Sequence, residues 1–143
     1  MRVSYSLGYT ISLPVGHTFP MKKFSCLHTI LLQEDLLSLA DVYEPNEISW
    51  EDLNLVHSIE YLEKLRNGGL SSSEERRLGL PWSNALVRRS RLAVQGTLMA
   101  ARMALKDGFA ANLAGGTHHA FPDHGEGFCV LNDMAVTTKI LMQ

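Results

Sequence analysis

Two adjacent imidazoles on a glycine-rich stretch, Gly115-Gly116-Thr117-His118-His119-Ala120, are the residues of this chain best suited to chemistry. Imidazole titrates near neutrality and can take up a proton and return it, provided a partner fixes its tautomer. Neighbouring residues in extended backbone point to opposite sides, and common zinc spacings leave residues between ligands, so the pair is not expected to grip one metal. Two readings are open: a general acid/base pair, or two loop histidines hydrogen-bonded to backbone. Gly115-Gly116 favours the first, because glycine permits backbone geometry closed to other residues and a close approach of chain to ligand. Gly127 does the same beside Phe128, whose ring is suited to wall a narrow channel. Between these points Asp123, His124 and Glu126 read as a polar, partly solvated loop. A zinc site of His118 or His119 with His124 and Cys129 is the weaker alternative, since Cys129 opens the apolar step Cys129-Val130-Leu131 and suits buried packing.

The elements that must hold this segment are readable from periodicity. Phe109-Ala110-Ala111-Asn112-Leu113-Ala114 is largely apolar without alternation, as expected of a parallel strand covered on both faces. A long helix over 83–106 feeds it, which makes half of a βαβ unit. Ligands in open α/β sheets bind outside the carboxyl ends of the strands, where 115–128 must then lie. On that helix Arg88, Arg91, Gln95, Arg102 and Lys106 share a stripe opposite Leu86, Ala93, Ala100 and Ala104, so the cluster Arg88-Arg89-Ser90-Arg91 is expected on a solvated face. Gly96 permits close approach to the sheet, and Gly108 is a natural end.

Upstream, Val3–Ser6 reads as a strand, 21–39 as an amphipathic helix and Asp41–Glu44 as a short strand. Ser49 opens a helical turn, Ile59, Leu62 and Leu65 mark a short helix ended by Asn67-Gly68-Gly69, and Ser71/Glu74 and Ser72/Glu75 each fit a capping box. His57 and Tyr61 read as packing residues with satisfied polar groups, and Trp82 as a packing anchor. A final helix starts at Asn132 or Asp133.

The 143 residues, 45% hydrophobic and 20% charged, suit one globular domain. A net charge of -2 with scattered basic residues leaves no footprint for direct nucleic-acid binding. Cys26 and Cys129 form neither a disulfide framework nor a CxxC site, and no apolar run suits a leader or a membrane span. A cytoplasmic location is the simplest expectation.

The double-histidine segment, followed by Gly127-Phe128-Cys129-Val130-Leu131-Asn132-Asp133, resembles the histone deacetylase family of the arginase/deacetylase superfamily. Leu55-Val56-His57-Ser58-Ile59-Glu60-Tyr61 is similar to another segment of that family, and Gly16-His17-Thr18-Phe19-Pro20-Met21 with Gly79-Leu80-Pro81-Trp82-Ser83 resembles its bacterial and class IV branch. The resemblance implies an α/β fold, an open and mostly parallel sheet between two helical layers. It implies that residues 1–143 are the N-terminal portion of a single deacetylase domain. In its terms His119 is the general base and acid, His118 its electrostatic partner, the Gly127 carbonyl accepts a hydrogen bond from the substrate amide, and Phe128 flanks the substrate's aliphatic stem. His17, Phe19, Pro20 and Met21 line the inner end of the pocket, and Asp133 caps the last helix. The implied cofactor is zinc, and the implied substrate an acetyl-lysine protein or peptide, or a small acetylamide of the acetylpolyamine type. The family's metal ligands, an Asp-x-His pair and a later aspartate, are expected beyond Gln143, since Met134–Gln143 holds no Asp, Glu, His or Tyr. A fragment inactive by itself is therefore expected, the alternative being a catalytically silent product that binds a partner.

Overall fold

A computed structural model describes all residues, 1–143. Three short strands, β1 (Arg2–Ser4), β2 (Val42–Tyr43) and β3 (Ala110–Asn112), form a parallel sheet in the order β2-β1-β3. Val3 stands opposite Val42 on one side and Ala111 on the other. Successive side chains of a strand point to opposite faces. Ser4 accordingly faces the long helix α5 (Asn84–Asp107), whereas Tyr5 stacks on His28 of α1 (Lys23–Gln33) at 3.9 Å between ring centres. Helices thus cover both faces, the three-layer α/β arrangement expected.

Helix α5 approaches the sheet at Gly96. The hydroxyls of Ser4 and Tyr9 lie 3.1 Å apart, Tyr9 donates to Asn112 Oδ1 at 3.0 Å, and Asn112 Nδ2 donates to Ala93 O and Thr97 Oγ1, both at 2.9 Å. This buried polar layer replaces apolar packing between helix and sheet, and each member has a partner, as burial demands.

Four short helices complete the fold: α2 (Trp50–Leu53), α3 (Ile59–Asn67), α4 (Ser72–Leu78) and α6 (Asp133–Leu141). They pack with α5 around a core that includes Leu53, Leu65, Leu78, Leu86 and Val136. Their starts follow the sequence: Ser49, Ser58 and Ser71 each accept an amide of the first turn, and Ser71 with Glu74 forms the full capping box. Glu75 does not form a second box with Ser72; its carboxylate accepts the Trp82 amide at 2.8 Å. Trp82 is an anchor, its ring against Gly68 and its Nε1 donating to Leu65 O.

Four features differ from expectation. Helix α1 ends at Gln33 rather than at 39, because Asp35 adopts a left-handed φ of 53° and the amides of Leu36 and Leu37 both return to Leu31 O. The reversal buries Leu37 and leaves Leu36 and Leu39 exposed, so their helical spacing was incidental. Phe109 lies outside β3 and is exposed. Asn132, not Asp133, caps α6, accepting the Ala135 amide at 3.0 Å.

The arginine cluster is the fourth. Arg89 is buried, 3% exposed, with Nε donating to Tyr9 O at 2.9 Å and its guanidinium over the Phe24 ring. Arg91 is half-buried, binding Ile48 O and Glu47. Arg88 alone of the three keeps the solvated character expected. No helix is long and apolar enough to cross a membrane.

Candidate active site

The site lies at the carboxyl end of β3. Leu113 continues the strand by donating to Ser4 O, and Gly115 then turns at a φ of 74°. Thr117 pins the chain just before the histidines: its amide and hydroxyl both donate to Asp133 Oδ1, at 2.7 and 2.9 Å. Asp133 Oδ2 accepts from Thr97 Oγ1 on α5 at 2.6 Å. A buried carboxylate, 1% exposed, therefore welds the histidine segment to two helices. Removing it leaves the Thr117 amide without a partner. Asp133→Ala is expected to cost ~3 kcal/mol in urea denaturation, the range for hydrogen bonds to a charged acceptor, and Asp133→Asn clearly less because one oxygen remains.

His118 and His119 come next in a turn, not in extended backbone, and their rings share one side with centres 4.3 Å apart. The expectation that they point apart is thus overturned. The cause is long-range: Asn132 Nδ2 donates to His118 O at 3.2 Å and Ala120 O at 2.9 Å, which folds the chain around His119. Both histidines are exposed.

Gly127 faces the His119 ring; a Cβ built there would lie 3.6 Å from His119 Cγ, an ordinary contact. The backbone is the stronger restriction. Gly127 has φ 57° and Phe128 φ 67°, a left-handed pair in which phenylalanine is rarely found. Such strain persists only where the surroundings over-determine it. Here the Phe128 amide donates to Leu78 O at 2.7 Å, and its ring lies between Phe19, at 5.1 Å, and Gly79. His17 holds the far side: Nδ1 accepts the Phe19 amide, so Nε2 carries the proton and donates to Gly79 O at 3.0 Å.

These residues enclose a cavity of about 320 Å³ lined by His118, His119, Gly127, Phe128, Phe19, Phe24, Lys23 and Arg89. All four residues singled out from the sequence thus meet around one space. Of the four proposed for the inner end, Phe19 lines it and His17 braces the Phe128 ring from outside, whereas Pro20 and Met21 face a separate depression. Sequence reasoning missed Arg89. Its signal was present on the helical wheel, where it stands about 100° from Arg88 and beside the buried face of Ala93 and Ala100. Burial pushes its guanidinium down to about 10, still charged at neutral pH.

His124 turns away from the cavity, with Nδ1 bonded to Asp123 at 2.7 Å and its ring stacked on Phe121. It is the polar, partly solvated loop expected, and Cys129 is buried. No three His, Cys, Asp or Glu side chains converge to hold a metal ion. The residues of this chain do not by themselves make a zinc site.

His57 and Tyr61 are both buried as the packing reading expects, but only Tyr61 is fully satisfied: it donates to Val130 O at 2.8 Å, whereas His57 Nε2 accepts the Asn132 amide at 3.0 Å and its buried Nδ1 has no hydrogen-bond partner. Burial lowers the His57 pKa below its ordinary 6.5. The unfolded chain then binds more protons than the folded one near that value. Stability is fully present above about pH 6.5 and is lost as pH falls towards the depressed folded value. Thermal melts between about pH 7.5 and pH 5.5 are expected to show a falling midpoint, less steep in His57→Gln.

Residues 17–143 match the model of the histone deacetylase domain. The chain belongs to the histone deacetylase family. It is 44% identical over 141 residues to an uncharacterized protein of Picosynechococcus sp., covering 99% of this chain and 47% of that one. Histone deacetylase 2 of Arabidopsis thaliana is 32% identical, with 94% of this chain and 37% of that protein covered. The crystal structure of a histone deacetylase homologue complexed with SAHA superposes with a TM-score of 0.79 at 28% identity, over 99% of this chain and 41% of that one. The chain spans less than half the length of these histone deacetylase relatives.

Proposed function

We propose that this chain supplies the proton-transfer part of a deacetylase acting on acetyl-lysine amides. The convergence of His118, His119, Gly127 and Phe128 on one cavity carries the reading. His119 is the general base that takes a proton from the attacking water and the acid that returns it to the departing amine, while His118 supports the charge that builds on the pair. The Gly127 carbonyl receives the substrate amide, and Phe128 with Phe19 borders the aliphatic stem. The aromatic part of the lining, Phe19, Phe24 and Phe128, suits a methylene chain. A small acetylamide of the acetylpolyamine type would satisfy the same contacts. Zinc belongs to the proposal as the cofactor the family likeness implies, with ligands outside residues 1–143.

One observation favours a second reading, a catalytically silent binding fragment: neither histidine ring has a hydrogen-bonded partner to fix its tautomer. Acetate release separates the two. An acetyl-lysine peptide and an acetylated diamine are incubated with the purified chain and zinc, alone and with the remaining part of the Picosynechococcus relative supplied as a second polypeptide. Hydrolysis that disappears with chelator supports the proposal, and the better substrate names the class. No acetate from a mixture whose two polypeptides co-elute overturns it.

A further inference from the structure

The stretch that begins α3 grips both ends of the loop that carries the site. Ser58 donates its amide to Pro122 O at 2.9 Å, Tyr61 donates its hydroxyl to Val130 O, and His57 Nε2 accepts the amide of Asn132. Asn132 is the junction. Its backbone faces His57, its Oδ1 caps α6, and its Nδ2 holds the carbonyls of His118 and Ala120, the residues on either side of His119.

We infer that His57 is a positioning residue for His119, acting through Asn132 to set where the His119 imidazole points. This rests on the reading of His119 as the proton-transfer group. The chemistry of the position explains why a histidine stands there. Filling a site 2% exposed calls for a flat, largely apolar ring, while the Asn132 amide calls for an acceptor at one edge. Neutral imidazole with its proton on Nδ1 is both. The carbonyls of Phe121 and Pro122 face that Nδ1, although it makes no well-formed hydrogen bond, and they favour the same tautomer. Phenylalanine would fill the space and leave the amide without a partner. The side chain of Gln has an acceptor oxygen at comparable reach. His57 thus has a role in the geometry of the turn separable from its role in filling the core.

The test reads the histidines directly, so its outcome does not depend on hydrolysis. Long-range proton–nitrogen imidazole spectra of the ¹⁵N-labelled chain are recorded against pH for the wild type, His57→Phe, His57→Gln and Asn132→Asp. Asn132→Asp keeps the oxygen that caps α6 and loses both donations to the carbonyls around His119. The expected result is that His57→Phe and Asn132→Asp shift the His119 ring signals and its titration midpoint, that His57→Gln restores the wild-type pattern, and that wild-type His57 shows the Nδ1–H tautomer. Should His57→Phe fail to fold, Asn132→Asp and the tautomer of His57 decide. His119 signals unmoved in Asn132→Asp, or His57 protonated on Nε2, would overturn the inference. Failure of acetate release with these shifts present would instead sink the deacetylase reading alone.

Discussion

His119→Ala is expected to lower acetyl-lysine hydrolysis by about 10²–10⁴-fold in the reconstituted two-polypeptide assay, the usual contribution of a positioned acid/base group. His118→Ala should cost less. The asymmetry comes from the surroundings of the two rings. The carbonyls before and after His119 are both held by Asn132 and Gly127 faces its ring; His118 is tied through its own carbonyl and through Thr117, which Asp133 pins, but the contacts of Gly127 are all with His119. A base must meet its proton at hydrogen-bond distance, so under the proposed function the better-held imidazole is the one expected to carry the transfer. The loss should fall on kcat with KM little changed, because the cavity wall of Phe19 and Phe128 is untouched. Equal losses in the two variants would show that the rings act as one unit; near-normal turnover in His119→Ala would remove it from the chemistry.

Gly96→Ala should be the most damaging single methyl in the chain. A Cβ at this position would overlap the Tyr9 hydroxyl and approach Asn112 Oδ1 to 2.7 Å and Ser4 Oγ to 2.8 Å. All three atoms belong to the buried layer between α5 and the sheet, and none is the free end of a flexible side chain. Making room must either push the helix off the sheet or break a chain of buried hydrogen bonds. Overpacking costs about 1–3 kcal/mol, and a buried polar group left without its partner costs a similar amount again. A chain of this size has total stability on the order of 10 kcal/mol, so a fall of several kcal/mol is expected, with poor recovery of soluble protein. Urea denaturation of Gly96→Ala beside Arg102→Ala, a control at an exposed position of the same helix, measures it. A loss below about 1 kcal/mol would mean that the helix shifts freely, contrary to its many ties.

Much of this molecule can be read from local sequence because its signals are local. Serine caps, glycine ends and the length of α5 depend on residues a few positions apart, and they formed as expected except the second capping box, whose Glu75 turns to the Trp82 amide. His118, His119, Gly127 and Phe128 also line one cavity, since a glycine-flanked loop at the carboxyl end of a parallel strand has little choice of place. The features that escaped depend on distant partners. The turn that puts both imidazoles on one side is made by Asn132 and Asp133, more than a dozen residues away in sequence. The end of α1 is set by core demand for Leu37, and Arg89 is held inside by a carbonyl eighty positions earlier. Periodicity reports which face a residue occupies; it does not report which polar group waits there.

The bond from the Thr117 amide to Asp133 also predicts something about time. Loop amides usually exchange their protons with solvent through small, frequent openings, while those of a central helix wait for large ones. Thr117 sits in a loop by every geometric criterion, yet its amide is buried on a carboxylate that is itself clasped by α5 and α6. Its deuterium uptake should therefore follow the slow amides of Val94 and Leu98 rather than those of Gly115 or Gly116. The segment beside the two histidines would open only when the body of the domain opens.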